Sequence, residues 1–363
     1  MSVTPAEVRL AARLGPREVF GAFWTHPVLR AALKAILTIW VTTTLTFFLI
    51  RLMPGSPVDL KIDELMQTSN GALTYDDARA IASGLFSIDL NAPLHEQYLS
   101  FMGNVLHGNL GNSFLSAGTS VTSIILAVLP WTLFAVGTGL LLSFSVGIAL
   151  GLLAAYRRNS FFDRLVTTGG SVVSSIPNYL LALMIVVILG SQLRLIPIAQ
   201  MRGAFSPGMH PGFTLDFIGD IFYHASLPIT IFFLTQLGNW ILSMRSATLA
   251  ALDEDYVVAA RARGLTDGRI TTAYVGRNAI LPLVTQFAIA TGFVLGGAVV
   301  IEQIFVYEGI GLRLLAAINQ RDYPLVQGIL LITTTAVVIA NLAADLLYGR
   351  LDPRIGRAGG ATG

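Results

Sequence analysis

The chain contains no cysteine in its 363 residues, which excludes a disulfide framework, a thiolate nucleophile and any cysteine-ligated metal site. It also contains little charge, since only 12% of its residues are Asp, Glu, Lys or Arg, whereas 54% are hydrophobic. An ordinary soluble domain has about 25% charged residues, so the composition argues against that class. Lysine occurs only as Lys34 and Lys61, each preceded by leucine, so the Gly-Lys pair of a nucleotide-binding P-loop is missing.

Common catalytic motifs are missing as well. His95-Glu96 does not continue to a second histidine at the spacing of zinc proteases, because Leu99 stands at that position. No Gly-x-Ser-x-Gly motif surrounds the serines near Ser174, so an intramembrane hydrolase is not indicated. We therefore expect no catalytic residue, no metal ion and no cofactor in this chain.

Six long uncharged runs dominate the sequence instead. A helix crosses the hydrocarbon region of a bilayer with about 20 apolar residues, and five of the runs reach that length. The first run is shorter, but it is flanked by Lys34 and Arg51, whose long side chains can extend to the membrane surfaces. The pattern predicts an all-α integral membrane protein with six transmembrane helices, at approximately residues 33–53, 124–156, 165–193, 224–244, 278–301 and 324–347.

The distribution of positive charge predicts the orientation. Sixteen of the 23 Lys and Arg residues fall in four segments on one side of a six-span chain: 9–34, 157–164, 245–277 and 350–357. The positive-inside rule assigns this side to the cytoplasm. We therefore expect a cytoplasmic N-terminal segment at 1–32, a cytoplasmic loop at 245–277 and a cytoplasmic tail at 357–363. The net charge of +2 hides this asymmetry and gives no indication of a nucleic-acid partner.

The opposite side carries an unusually long segment, residues 54–120. Loops of more than about 15 residues are usually functional or disordered. Helices are predicted at 74–86 and 94–106, so we expect an ordered cap at the outer mouth. A second outer loop, 194–223, is rich in proline and glycine and is predicted to be irregular.

A charged island separates two apolar blocks at residues 253–282, and residues 253–264 within it carry the signals of a short helix. Asp253 is a candidate N-cap, Arg261 and Arg263 suit the negative end of the helix dipole, and Gly264 is a natural C-terminal stop. Alanines in the middle leave the helix surface small enough for a partner's groove to close around it. The alternative interpretation is an ordinary solvated connector helix.

Four blocks of sequence carry a family resemblance. Residues 256–265 read Tyr-Val-Val-Ala-Ala-Arg-Ala-Arg-Gly-Leu, and 277–282 read Arg-Asn-Ala-Ile-Leu-Pro. The other three blocks are 51–58, then 93–98 with 108–113, then 309–312 with 321–324. In this order they resemble the permease subunits of binding-protein-dependent ABC importers, most closely the first of the two unlike permeases in dipeptide or oligopeptide systems. The resemblance covers roughly residues 33 to 356, and Val258 replaces the Glu of the general Glu-Ala-Ala-x3-Gly loop.

The resemblance implies a type I ABC importer permease fold in a bacterial or archaeal cytoplasmic membrane. It implies a second homologous permease, two ATPase subunits or domains that bind ATP and Mg²⁺, and an extracytoplasmic solute-binding protein. The helix at residues 255–265 would be the coupling helix that inserts into the ATPase, with small residues for close packing and charged residues at the rim of the contact. The resemblance implies a role in ATPase coupling for the following residues: Asp255, Tyr256, Ala259, Ala260, Arg261, Arg263, Gly264 and Leu265.

Polar residues inside the predicted spans are candidates for the translocation path, because they are costly to expose to lipid. These are Ser174, Ser175, Asn178, Gln236, Asn239, Gln286 and Asn341. Hydrogen bonding between helices is the alternative role. A peptide is the expected substrate, with nickel, glutathione or an oligosaccharide as alternatives. An ion-coupled secondary transporter is a more remote alternative, since acids are missing from the mid-membrane runs.

Overall fold

The computed structural model describes residues 27–52, 57–69, 73–85, 92–114, 116 and 118–351, with a few side chains excepted, among them those of 292–297 and 344–351. The described chain is helical and has no β-strand beyond one isolated bridge between Asn112 and Ser120. The helices are α1 Pro27–Arg51, α2 Pro57–Thr68, α3 Tyr75–Leu85, α4 Leu94–Leu106, α5 Val121–Tyr156, α6 Phe161–Ser174, α7 Asn178–Met184, α8 Leu215–Leu252, α9 Asp255–Ala262, α10 Arg277–Phe305, α11 Ile310–Asn319 and α12 Tyr323–Leu351.

The expected all-α membrane architecture is confirmed. Among the described residues, four stretches are long and apolar enough to cross a bilayer: Leu29–Arg51, Val121–Tyr156, Leu215–Leu252 and Tyr323–Ala343. The bent pair formed by α6 and the α7 region gives a fifth candidate. The predicted span at 278–301 lies within the 29-residue helix α10, part of whose side chains is not described. The count of six spans therefore stays a prediction.

The predicted span at 165–193 is not one straight helix. Its two halves, Phe161–Ser174 and Asn178–Gln192, meet at an angle of 93°. Pro177 lies at the break, with φ of −54° and ψ of 136°, and it precedes α7 as its N-cap residue. Proline has no amide hydrogen and disfavours helical backbone in the residue before it, so the helix ends there. Beyond α7 the chain continues as a π-helical stretch, Ile185–Gln192.

Helices α5 and α8 form the most extensive helix pair in the described chain. The contact runs along small residues of α5 at every fourth position, Gly139, Ser143, Gly147 and Gly151, all buried. A Cβ atom on Gly151 would lie 2.6 Å from the carbonyl oxygen of Ile241. Such small residues let two membrane helices approach at backbone distance, which maximises dispersion contacts where no hydrophobic effect operates between helices.

The loops follow the sequence expectations in part. The predicted helices at 74–86 and 94–106 are confirmed as α3 and α4. Helix α2 was not predicted. The loop expected at 194–223 is irregular only to residue 214, apart from a 3₁₀ turn at Ile198–Met201, because Thr214 caps α8 by accepting from the Phe217 amide at 3.3 Å. Helix α8 therefore starts nine residues before its predicted span.

Helix α4 is attached to the C-terminal half of α1. The Tyr98 and Thr44 hydroxyl groups are 2.9 Å apart, and Arg51 Nε donates to Gln97 Oε1 at 2.8 Å. Phe47 stacks on Phe101 with ring centroids 5.3 Å apart. Part of the predicted cap is thus fixed to the membrane helices at the end of the bundle that carries α11, called here the α11 end. The opposite end carries α9 and is called the α9 end.

Candidate coupling site and polar path residues

Helix α9 has a defined start and end. Its N-cap position is Glu254, which makes no side-chain capping bond. The predicted N-cap, Asp253, instead ends α8, which continues eight residues past its expected boundary at 244. That prediction was wrong because residues 245–252, rich in alanine and leucine, extend α8. Asp255 lies in the first turn of α9, where the helix dipole favours an anion.

The end of α9 is a Schellman motif. The Leu265 amide donates to the Ala260 carbonyl at 3.3 Å, and the Gly264 amide donates to the Arg261 carbonyl at 2.9 Å. Gly264 has φ of +76°, a conformation that side chains disfavour, and no heavy atom would lie within 4 Å of a Cβ there. In the described chain, Gly264 therefore ends the helix through its backbone conformation, and it does not pack closely against this chain.

One face of α9 packs against its own chain. Val257 and Ala260 are buried in a cluster with Ile270 and Val275, and the partly buried Tyr256 and Leu265 lie against that cluster. Ala260 is only 4% exposed. The family resemblance implied that Ala260 packs closely against a partner. In the structure its side chain is instead buried within this chain. Tyr256 and Leu265 share this inward position.

The other face of α9 is open. Asp255, Ala259, Arg261 and Arg263 are exposed, and Val258 is 61% exposed. Arg261 Nε lies 3.6 Å from Asp267 Oδ1, and both side chains are largely exposed, so this ion pair contributes little to stability. The exposed face therefore combines small side chains with two flexible cations.

Helix α9 is anchored on both sides to membrane helices. It follows α8 after two residues, and its buried cluster reaches Ile270 and Val275 in the π-helical turn Ile270–Gly276 that leads directly into α10. Close to this end, Arg245 of α8 holds Asp163 of α6 with two hydrogen bonds, 2.7 Å from Nε and 2.9 Å from Nη2. A displacement of α9 would therefore be transmitted to α8 and α10.

Several candidate path residues lie around the bend between α6 and α7. Ser174 Oγ lies against Gly238 of α8, so close that a Cβ atom on Gly238 would clash with it. This oxygen is buried and has no hydrogen-bond partner in the described chain. Ser175 is exposed and donates to the Ser171 carbonyl at 2.8 Å. Asn178 Oδ1 accepts from the Tyr179 amide at 2.8 Å. The bend thus presents polar atoms next to α8.

The remaining candidates lie on three helices. Gln236 and Asn239 are on one face of α8, with Asn239 Nδ2 3.4 Å from Gln236 Oε1. Gln286 is exposed on α10. Asn341 lies on α12, and its Oδ1 is buried without a hydrogen-bond partner in the described chain. Gln236 and Asn239 are therefore neighbours on α8, and Ser174 at the bend lies against Gly238 of the same helix.

Sequence reasoning missed a buried carboxylate at the α11 end. Glu302 is 2% exposed and accepts from the Gly311 amide at 2.8 Å and the Leu312 amide at 3.0 Å, at the start of α11. The buried Thr132 hydroxyl donates to Glu302 and accepts from the Ile310 amide at 2.8 Å. The carboxylate thus satisfies the unpaired amides at the start of α11 and joins α5, α10 and α11. The available signal was a single acid directly after the uncharged run 278–301.

Three further hydrogen bonds hold the same end. Ser113 donates to Asp322, and Asp322 Oδ1 accepts from the Leu325 amide at 3.2 Å at the start of α12. In the loop after α10, the Tyr307 hydroxyl donates to the Trp131 carbonyl at 3.2 Å. Burial raises the pKa of the Tyr307 phenol, and Glu302 adds to the shift, so the phenol keeps the proton that it donates.

Comparisons with known proteins identify similar sequences. Residues 147–357 match the family described as "Binding-protein-dependent transport system inner membrane component". The chain is 34% identical over 329 residues to the di/tripeptide transport system permease protein DppB of Pseudomonas aeruginosa, covering 88% of this chain and 95% of the relative. It is 31% identical over 329 residues to the oligopeptide transport system permease protein AppB of Bacillus subtilis, covering 90% and 98%. It is 32% identical over 327 residues to the dipeptide transport system permease protein DppB of Escherichia coli, covering 86% and 93%.

Proposed function

Because the chain belongs to the family of binding-protein-dependent transport system inner membrane components, as a permease of the dipeptide and oligopeptide subfamily, we propose that it forms part of the path by which an ABC importer moves peptides across the cytoplasmic membrane. The relatives' names support peptides as the substrate class. In this proposal the chain catalyses no reaction and binds no cofactor. Two ATPase subunits or domains bind and hydrolyse ATP with Mg²⁺.

The observation that carries the proposal is the two-sided construction of α9. Its inner face, with Val257 and Ala260, is packed onto the residues that lead into α10, while Ala259 and Val258 face outward. A solvated connector helix needs no such buried cluster. A coupling helix needs both faces, one to receive a displacement from the ATPase and one to pass it to the membrane helices.

The same helices carry candidate path residues. Helix α8 leads into α9 and carries Gln236 and Asn239, and α10 follows α9 and carries Gln286. A displacement of α9 would therefore change the position of these amides. In the proposed assembly they line the path together with the bend residues Ser174, Ser175 and Asn178, whereas Asn341 bonds between helices or faces a second, homologous permease. These proposed path residues carry no charge. A path with uncharged walls is suited to a solute that a separate binding protein has already selected.

The proposed orientation follows the distribution of cations. The α9 end and both termini lie in the cytoplasm, and the α11 end with α4 lies outside. The extracytoplasmic solute-binding protein then docks at the α11 end, and the ATPases dock at α9. The lipid-facing surface includes exposed apolar residues of α1 such as Ile36, Trp40 and Leu45.

Substitution of Ala259 by tryptophan tests the coupling role. The side chain at 259 is exposed, so added bulk has no internal packing to disrupt, but it would block entry into a partner's cleft. In the assembled complex in nanodiscs, we expect A259W to lose most of the ATP hydrolysis that peptide-loaded binding protein stimulates. Membrane insertion and assembly with the second permease should be retained.

Ala273 provides the matched control. It is an exposed alanine in the π-helical turn beside α9, outside the proposed contact, so A273W should leave the stimulated ATP hydrolysis unchanged. A normal stimulation in A259W would contradict the coupling role. Substitution of Ala260 is less informative, because bulk at that buried position would disturb the chain's own packing.

A further inference from the structure

A polar cavity of about 230 Å³ lies at the α11 end, between α4, residues 109–112 and the first turns of α12. Its floor contains the buried side chains of Gln97, Pro324 and Gln327, and its rim contains the exposed Ser100, Asn104 and Asn112. The cavity is smaller than the roughly 300–1,000 Å³ of ordinary small-molecule sites. It therefore has room for the tip of a loop, and not for a whole oligopeptide.

The floor of the cavity offers an unused hydrogen-bond donor. Gln327 is 4% exposed, and its Nε2 has no hydrogen-bond partner among the residues that the structure describes. A buried polar group without a partner is destabilising, so its presence in a native fold calls for an explanation. The amide nitrogen of Gln327 is a donor, so an occupant that pairs with it has to offer an acceptor oxygen.

The walls of the cavity are polar but uncharged. The described lining consists of amides, one hydroxyl, main chain and a few apolar groups, and it includes no charged side chain. A short peptide carries a charged group at each end, and the lining gives neither of them a counter-charge. The carbonyl groups in the interior of a polypeptide carry acceptor oxygens without net charge, and amide side chains can pair with both the carbonyl and the amide of a peptide bond.

We propose that this cavity receives a main-chain loop of the extracytoplasmic binding protein, whose carbonyl oxygens accept hydrogen bonds from Gln327 and the rim amides. The inference rests on the proposed function, which places the α11 end outside. The loop would anchor the binding protein on α4 and α12 at once. Helix α12 begins at the corner that Asp322 ties to Ser113, so the docked loop lies against a firmly held part of the permease.

The test uses the assembled importer in nanodiscs and the purified binding protein that stimulates its ATP hydrolysis. The variant Gln327→Leu keeps the approximate size of the side chain and removes the donor. We expect its affinity for the binding protein, titrated by stimulated ATP hydrolysis, to fall about tenfold, which is the effect of losing one hydrogen bond to a buried donor. The matched control is Gln320→Leu, an exposed amide at the same end but outside the cavity, which should bind normally.

Two outcomes with Q327L would overturn the proposal. Unchanged affinity in Q327L would mean that the cavity holds only water. A changed half-saturating peptide concentration at saturating binding protein, with normal affinity for that protein, would assign the cavity to the substrate. If Q327L does not assemble, Asn112→Ala at the exposed rim should show a smaller loss of affinity, and normal affinity there would count against docking. A wild-type complex that no binding protein stimulates would refute the proposed function itself, which is a separate result.

Discussion

The two ends of the helix bundle are constructed on different principles. At the α9 end, a short helix rests on a small apolar cluster and leaves its other face exposed, with one loose ion pair between Arg261 and Asp267. At the α11 end, the buried acids Glu302 and Asp322 join segments that are far apart in the sequence. The first end is suited to bind a partner and to be displaced. The second is suited to hold its geometry.

The difference shows where a membrane protein can use charge. A buried carboxylate is tolerated only when hydrogen bonds replace its hydration, and Glu302 obtains three of them from Thr132, Gly311 and Leu312. The charged side chains of α9 face solvent. There they lose little hydration, and their ion pairs contribute little to stability. Rigid polar contacts therefore join distant segments at the α11 end, whereas the charges on α9 itself remain exchangeable.

The largest effect is expected from removal of the Glu302 carboxylate. Glu302→Leu leaves two buried main-chain amides unpaired, at about 1–3 kcal/mol each, so we expect a loss of roughly 2–6 kcal/mol and a clearly lower melting temperature of the purified protein. Glu302→Gln keeps an acceptor oxygen and should lose less. The control is Glu308→Gln, an exposed acid in the neighbouring loop, which should stay within about 0.5 kcal/mol of the wild type. Equal melting temperatures for E302L and E308Q would show that the buried Glu302 does not stabilise the α11 end, and the contrast between the two ends would be wrong.

An intermediate effect is expected at Asp163 and Arg245, which form a two-point ionic contact near the α9 end. Arg245→Lys keeps the charge but loses the two-point geometry, so we expect a loss of about 1–3 kcal/mol in thermal unfolding. The exposed neighbour Arg164 is the control, and R164K should be neutral. A double-mutant cycle with Asp163→Asn measures the coupling directly. Additive losses would show that the two side chains do not act as a pair.

The smallest effect is expected at Gly264. An alanine there has space but has to adopt φ near +76°, which costs about 1 kcal/mol, so G264A should fray the end of α9 with little change in overall stability. Faster amide hydrogen exchange at residues 262–265 is the measurement. Gly268, where an added Cβ meets only an ordinary contact, is the matched control. Unaltered exchange in G264A would mean that the Schellman motif does not fix the end of α9.

Much of the fold could be predicted from local signals. Helices α3 and α4 were predicted to within a residue, because their composition and first-turn signals are local. The bend at Pro177 was missed, because a proline within an apolar run is compatible with either a kink or a break. The N-terminal extension of α8 was missed, because the prolines and glycines before it pointed to a loop throughout.

The helix of the candidate coupling site was predicted from the sequence, but which of its faces is exposed was not. The sequence indicated a helix with Ala259 and Ala260 at its centre, and the structure exposes Ala259 but buries Ala260. Which of them is free depends on Ile270 and Val275, which lie beyond the end of the helix. The coupling and path roles of the named residues stay predictions until the variants above are measured.

The sequence alone determined that this chain is an all-α membrane protein of an importer family, because hydropathy and motif spacing are properties of contiguous residues. Only the tertiary structure decided which polar groups are paired. Glu302 meets Thr132 across 170 positions and Ser113 meets Asp322 across 209. The unpartnered donor of Gln327 likewise becomes visible only once α4 is packed beside α12. Hydrogen bonds form between neighbours in space, and folding alone determines those neighbours.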